Sequence, residues 1–187
     1  MQDAVSERGT ALARCYIAYR LEREGLRSEY YKTDRTLMTT EVFERICALA
    51  DEVEYRYVIS FDELYMDSRM DAEKFDVVAR ELFGSGIRWG RVMALFAYVG
   101  AMAIQCKERR QDNILRQIGL WMDTLIQKQL SSWVKQQPRQ WDSIVDHYRA
   151  SPYGNVHWAA KLLLVVVVLC ALAVFVAAMQ AVNPSGL

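Results

Sequence analysis

The sequence predicts an all-α domain built around one buried central helix, followed by a helix that crosses a membrane. Three observations carry this. Residues 81–106 read ELFGSGIRWGRVMALFAYVGAMAIQC, and no residue from 92 to 104 is charged. A helix there is apolar on every face, so other helices or lipid must enclose it. The uncharged run falls short of the ~20 apolar residues that a bilayer needs, which makes it the core helix of a soluble helical domain. Flanking segments repeat apolar residues at steps of three and four, the spacing of one helix face. Residues 162–179 then form a second uncharged run, 18 residues long and rich in valine and leucine.

A chain of 187 residues accommodates one domain plus an appendage. Hydrophobic residues make up 52%, enough for a sizeable core. Lys plus Arg equals Asp plus Glu at 23 each, so no global charge draws the chain to nucleic acid or an anionic surface. The four cysteines, at 15, 47, 106 and 170, form no CxxC pair. A reducing compartment fits that scatter better than a disulfide framework or a zinc site. No apolar run lies near Met1, so no secretory signal peptide is expected.

The first helix is predicted over 4–24, with Leu12, Cys15, Tyr16 and Tyr19 on one face and Gly25 at its end. Residues 26–39 are polar and read as a loop. Thr39 or Thr40 caps the next helix, and Glu41 suits its first turn. Val42, Ile46, Leu49 and Val53 then draw one apolar stripe, with small Ala50 and acidic Asp51 beside it. Ser60 and Glu63 form a capping box that opens a short helix with Phe61, Leu64 and Tyr65. Asp71 caps another, carrying Phe75, Val78 and Leu82. Gly84 and Gly86 break it before the central helix. Trp89 and Arg91 stand at the entrance of that helix. Gly90, Gly100 and the alanines at 94, 97, 101 and 103 let its neighbours pack close.

Residues 107–113, KERRQDN, are a charged turn. Asp112 or Asn113 caps a helix with Ile114, Ile118, Trp121 and Leu125 on one stripe, making a hairpin with the central helix. Ser131 and Ser132 mark a bend, and Pro138 forces a break. Trp141, Ile144, Val145 and Tyr148 form the last stripe of a domain over 1–150. A linker over 151–161 leads to a span over 162–182. At 1.5 Å per residue the span reaches ~27–31 Å, one hydrocarbon core. Trp158 and Lys161 sit where interfacial anchors belong.

No catalytic constellation emerges. His147 and His157 stand apart from one another, and neither a phosphate-cradling glycine loop nor metal-ligand spacing is present. The reading is a non-enzyme without metal or cofactor, whose business is recognition.

The motifs point to a family. ELFGSGIRWGRVMALF resembles the first homology motif of the B-cell-lymphoma-two (Bcl) family of apoptosis regulators, whose core is Asn-Trp-Gly-Arg. Here the core reads Arg88, Trp89, Gly90, Arg91. EVFERICALADEVEYRY is similar to the third homology segment, with anchors Val42, Ile46, Leu49 and Val53, then Ala50 and Asp51. WVKQQPRQWDSIVDHY resembles the second motif through Trp133, Trp141 and Asp142, with Pro-Arg-Gln where relatives carry a glycine pair. ARCYIAYRLEREG resembles the first helix of Bak-type members.

The resemblance implies a bundle of about eight helices around a central apolar hairpin, and a groove edged by Arg88 and Arg91. Arg91 is then the cation that meets the acid of a partner helix. The implied partners are amphipathic third-segment helices of pro-apoptotic proteins, other Bcl-family members, a second copy on activation, and membrane lipid. The family divides into inhibitors of cell death and effectors that oligomerise and permeabilise the outer mitochondrial membrane. The first helix, DEVEYRY and SGIRWGRVMAL side with the Bak-like effectors, while WMDTL and WDSIVDHY side with the inhibitors. The expected function is the effector, with the inhibitor as alternative. The expected location is tail-anchored in the outer mitochondrial membrane, or the endoplasmic reticulum membrane, with the domain facing the cytosol.

Overall fold

The first helix, α1 (Ala4–Arg23), begins where the Asp3 carboxylate accepts the N–H groups of Val5 and Ser6 at 3.0 and 3.1 Å. It stops at Gly25, whose φ of +71° is open to glycine at little cost. There the Leu26 N–H reaches the Leu21 carbonyl at 2.8 Å, a helix end of the Schellman type. The computed structural model that shows this describes residues 3–65 and 71–150. The linker over 151–161, the span over 162–182, Trp158, Lys161 and His157 lie outside the described residues.

The loop expected over 26–39 contains one turn of helix, α2 (Arg35–Met38). Asp34 caps it, accepting from Thr36 and Leu37 at 2.9 and 3.2 Å. Thr40 then caps α3 (Glu41–Tyr65), its hydroxyl oxygen accepting the Phe43 N–H at 3.3 Å. The capping box at Ser60 opens no new helix, because α3 runs through it. No glycine or proline lies between 41 and 65 to stop the helix, so the box has no free helix end to cap. Asp71 does cap α4 (Ala72–Phe83), accepting from Lys74 at 3.0 Å.

After the Gly84–Gly86 corner, with Gly86 at φ +97°, comes α5 (Trp89–Glu108). It is 20 residues long, longer than its uncharged run, and by length and composition alone it is apolar enough to cross a membrane. Yet 83% of its most apolar window is buried inside the protein, as a bundle core requires. It forms the axis on which α1, α3, α4 and α6 pack. Gly100 lets α1 lie close: a Cβ there would sit 3.0 Å from Tyr16 and 3.1 Å from Arg20.

The turn into α6 (Asp112–Leu125) departs from expectation. Neither Asp112 nor Asn113 caps it; the cap position is Gln111, without a side-chain bond. The reason is the end of α5. Arg110 takes φ +58° and the Gln111 N–H bonds the Cys106 carbonyl at 2.8 Å, which uses up the turn before Asp112. Asp112 instead accepts from Lys107 at 2.7 Å. The buried stripe of α6 is Leu115, Ile118, Met122 and Leu125. Ile114 and Trp121, expected on it, lie half-buried at its edge. No bend occurs at Ser131 and Ser132. The chain passes through a π-helical turn (Ile126–Leu130) into α7 (Ser131–Lys135), which ends before Pro138. A 3₁₀ turn (Gln140–Asp142) leads into α8 (Ser143–Ala150). Every element among the described residues is helical, and Cys15, Cys47 and Cys106 are free and buried.

Candidate functional site

Trp89 opens α5 and is 3% exposed. Its ring stands edge-on to Trp133 with centroids 5.0 Å apart, and tilted to Trp141 at 5.8 Å. The first and second motifs, separated in sequence by the whole α5–α6 hairpin, thus meet through three tryptophans. Such edge-to-face pairs contribute ~0.5–1.5 kcal/mol beyond burial. Trp141 is fully buried and donates its Nε1–H to the Val5 carbonyl at 2.9 Å. A Cβ on Gly9 would come within 2.5 Å of its ring, so only glycine lets α1 lie against it. Asp142 belongs to the same seam. Arg8 donates to both its oxygens at 2.7 and 2.8 Å, and that hydrogen bonding holds its carboxyl below the ordinary carboxylate range. These residues fasten the start of α1 to the 3₁₀ turn before α8.

Gly90 and Arg91 are buried, Arg91 at 5% exposure, whereas Arg88 is exposed. The two arginines therefore do not share one rim position. Arg91 turns back on the glycine corner and donates from Nη1 to the Gly86 carbonyl. Burial, then the positive charge of Arg88, pushes its guanidinium below the ordinary value. Arg88 keeps extended backbone at φ −147° ahead of the helix, which carries its side chain outward.

The third segment forms the first half of α3. Val42, Ile46, Leu49, Ala50 and Val53 are all at most 5% exposed and belong to the hydrophobic core. Asp51 flanks them, and the sequence reading missed its partner. Arg23 Nη1 donates to its two oxygens at 2.8 and 2.7 Å. One turn on, Glu54 accepts from Arg20, whose side chain is 3% exposed. Burial disfavours the charged Arg20, but Glu54 and the Tyr16 hydroxyl together outweigh it and raise its pKa. Arg20 also donates to the Tyr16 hydroxyl at 3.4 Å, and Arg23 sits 5.8 Å over the Tyr19 ring. The signal was a matched spacing of three, Arg20 and Arg23 on one helix, Asp51 and Glu54 on another. Spacing alone does not say that two helices face each other.

Among the described residues no group of three His, Cys, Asp or Glu side chains is placed to hold a metal ion. The site offers instead a buried cation, an exposed one, and an apolar helix axis beneath them.

Comparison with known proteins places this architecture. Residues 46–138, about half of the chain, match the family described as apoptosis regulator proteins, Bcl-2 family. Bcl-2-like protein 1 of Rattus norvegicus is 31% identical over 102 residues, covering 52% of this chain and 43% of that protein. Apoptosis regulator Bcl-2 of Cricetulus griseus is 30% identical over 114 residues, covering 58% and 48%. The chain thus spans less than half the length of these curated relatives. Among solved structures, Trichoplax adhaerens trBcl-2L2 bound to trBak BH3 matches with a TM-score of 0.66 and 27% identity, over 78% of this chain and 99% of that one. The matched span includes the Arg88–Arg91 core, the Trp133 end of the second motif and most of the third segment, on the fold that solved relatives share: the chain belongs to the Bcl-2 family of apoptosis regulators.

Proposed function

We propose that this protein regulates apoptosis by taking an amphipathic third-homology-segment helix into a groove that begins at Arg88 and Arg91, and that it sequesters such helices as an inhibitor of cell death. The observation that carries the reading is the likeness to trBcl-2L2, which holds the BH3 segment of trBak and is matched over 99% of its length. The relatives Bcl-2-like protein 1 and Bcl-2 support the inhibitor as well, and WMDTL and WDSIVDHY side with it.

The Bak-like effector is the second reading. The first helix, DEVEYRY and SGIRWGRVMAL favour it. In that reading Val42, Ile46, Leu49 and Val53 leave the core, and the segment enters the groove of a second copy, with Asp51 meeting Arg91 or Arg88. Permeabilisation of the outer mitochondrial membrane follows. In both readings residues 162–182 anchor the chain in that membrane, or in the endoplasmic reticulum membrane, with residues 1–150 in the cytosol and 151–161 as the tether. Burial of ~20 apolar residues makes such an anchor far firmer than one lipid chain.

Dye release from liposomes separates the readings. An inhibitor causes no leakage with or without an activating helical peptide, binds that peptide, and suppresses leakage by a known effector. Leakage by this protein alone, triggered by the peptide, transfers the assignment to the effector. Failure to bind any third-segment peptide rejects both.

A further inference from the structure

Tyr31 lies in the connection between α1 and α2, yet it is only 5% exposed. Its hydroxyl donates to the Leu115 carbonyl at 2.8 Å and accepts the Gly119 N–H at 2.8 Å. Those two groups stand one turn apart in α6 and are natural partners in a single rung of its ladder. The phenol therefore bridges the two ends of one helical rung. Gly119 makes the seat: a Cβ there would fall 2.6 Å from the hydroxyl oxygen. Burial pushes the phenol up to about 12, so it keeps its proton and remains a donor at neutral pH.

The rest of this connection is lightly held. The Asp34 N–H reaches the Cys15 sulfur at 3.4 Å, and Thr33 donates to Glu22 at 3.2 Å. Between the loop and α1 lies an open cleft of about 530 Å³, lined by Leu21, Glu22, Leu26, Arg27, Lys32 and Thr33. A loop that borders open space has little packing to lose when it lifts.

We propose that Tyr31 is a releasable clasp that holds the α1–α2 connection on α6, its hydroxyl exchanging with a direct Gly119–Leu115 hydrogen bond when the loop lifts. Withdrawing a buried hydrogen-bond partner normally strands a donor or an acceptor, and that penalty keeps most such contacts shut. Here the two stranded groups face one another and pair at once. Both positions of the clasp leave α6 satisfied, which makes two discrete arrangements rather than a continuum. What holds the clasp closed is burial of the ring together with the hydroxyl, which makes two hydrogen bonds where the freed rung restores one. Opening slackens the tether through α2 to Thr40, where the third segment begins, while α1, α5 and α6 stay packed. The inference rests on this geometry and on neither reading of the effect on cell death.

The test is amide hydrogen exchange on the full chain in detergent micelles, read residue by residue by NMR. In Tyr31→Phe the ring stays and the hydroxyl goes. Amides over 26–34 are expected to exchange about tenfold faster, the scale of one buried hydrogen bond. Gly119 is expected to stay as slow as in the wild type, because its rung closes on Leu115. In Gly119→Ala the methyl group takes the hydroxyl's seat, and the same loop amides are expected to speed up. Three results overturn the clasp: loop rates unchanged in Tyr31→Phe, Gly119 accelerating in step with the loop in that variant, or uniform acceleration across α1, α5 and α6.

Discussion

Arg23 on α1 grips both carboxylate oxygens of Asp51 on α3, at 2.8 and 2.7 Å. In the folded chain the acid of the third segment is already answered from within. Beside it, Arg20 and Glu54 repeat the contact in a more buried setting. A third segment that is to serve as a ligand must give up these arginines before it meets others.

The first prediction weighs that contact. Both partners are a little over one-third exposed, so water screens the pair. Asp51→Ala is expected to cost ~0.5–1 kcal/mol of folding stability, the upper part of the range for exposed pairs, because Arg20 adds to the network. A double-mutant cycle with Arg23→Ala, followed by chemical denaturation, measures the coupling. Zero coupling would show that the pair contributes nothing to holding α1 on α3.

The second concerns the stripe beside it. Leu49 is 5% exposed within the core that α3 forms on α5. Leu49→Ala removes volume that rigid neighbours refill only in part, and is expected to cost ~2–5 kcal/mol. Asp51→Ala and Leu49→Ala therefore differ several-fold although the residues are neighbours. Equal losses in thermal or urea unfolding would contradict the inward placement of the stripe.

The third concerns acid. Asp142 is held below the ordinary carboxylate range by its hydrogen bonds from Arg8, and Asp3 is lowered to about 2 by the hydrogen bond from Lys135. A carboxylate with a depressed folded pKa contributes stability that is fully present above its unfolded value. That contribution is lost as pH falls through the folded one. Unfolded aspartate titrates near ~3.9, so the loss is expected between pH ~4 and ~2. Asp142→Asn should be less stable than wild type at neutral pH and should show a flatter decline over that window. A decline of undiminished steepness in Asp142→Asn would assign the acid sensitivity to other groups.

Much of this was readable from local pattern. The stripe Val42, Ile46, Leu49 and Val53, the caps at Thr40 and Asp71 and the stop at Gly25 depend on residues a few positions apart, and they stand where the pattern puts them. What was not readable depends on distant partners. Asp142 meets Arg8 at a separation of 134 residues, and Tyr31 meets Gly119 at a separation of 88. The α6 stripe took in Leu115 and Met122, with Ile114 and Trp121 at its edge, because the face that α6 turns to α1 and α5 depends on those helices. The Ser60 box failed for the opposite reason: its local signal was sound, but the helix it was to start had never stopped. In the site, the motifs named Trp89, Trp133 and Trp141 one by one, but their meeting across the α5–α6 hairpin was not legible in them. The burial of Arg91 beside an exposed Arg88 did not follow from the motifs at all.

That last difference yields the fourth prediction. Arg88 and Arg91 stand three residues apart but in different surroundings, one exposed and one buried against the Gly86 carbonyl. An exposed rim charge steers encounter and is screened by salt, whereas a desolvated one contributes to holding the complex together. Arg88→Asn, which restores the usual residue of the family motif, is expected to slow association with a third-segment peptide and to reduce its salt dependence. Its dissociation rate should change little. Arg91→Ala is expected to weaken binding by ~1.5–3 kcal/mol, the range for a hydrogen bond to a charged group, mainly through faster dissociation. Because Arg91 also holds the glycine corner, the variants must be compared at matched folded fractions. Stopped-flow binding at two salt concentrations, with titration calorimetry, separates the effects. Unchanged affinity in Arg91→Ala removes that residue from the groove and leaves its hydrogen bond to Gly86 as its role. Equal effects of both variants on association would mean that Arg91 also presents its charge to water when the partner arrives, so that the buried guanidinium must swing out from the corner before binding.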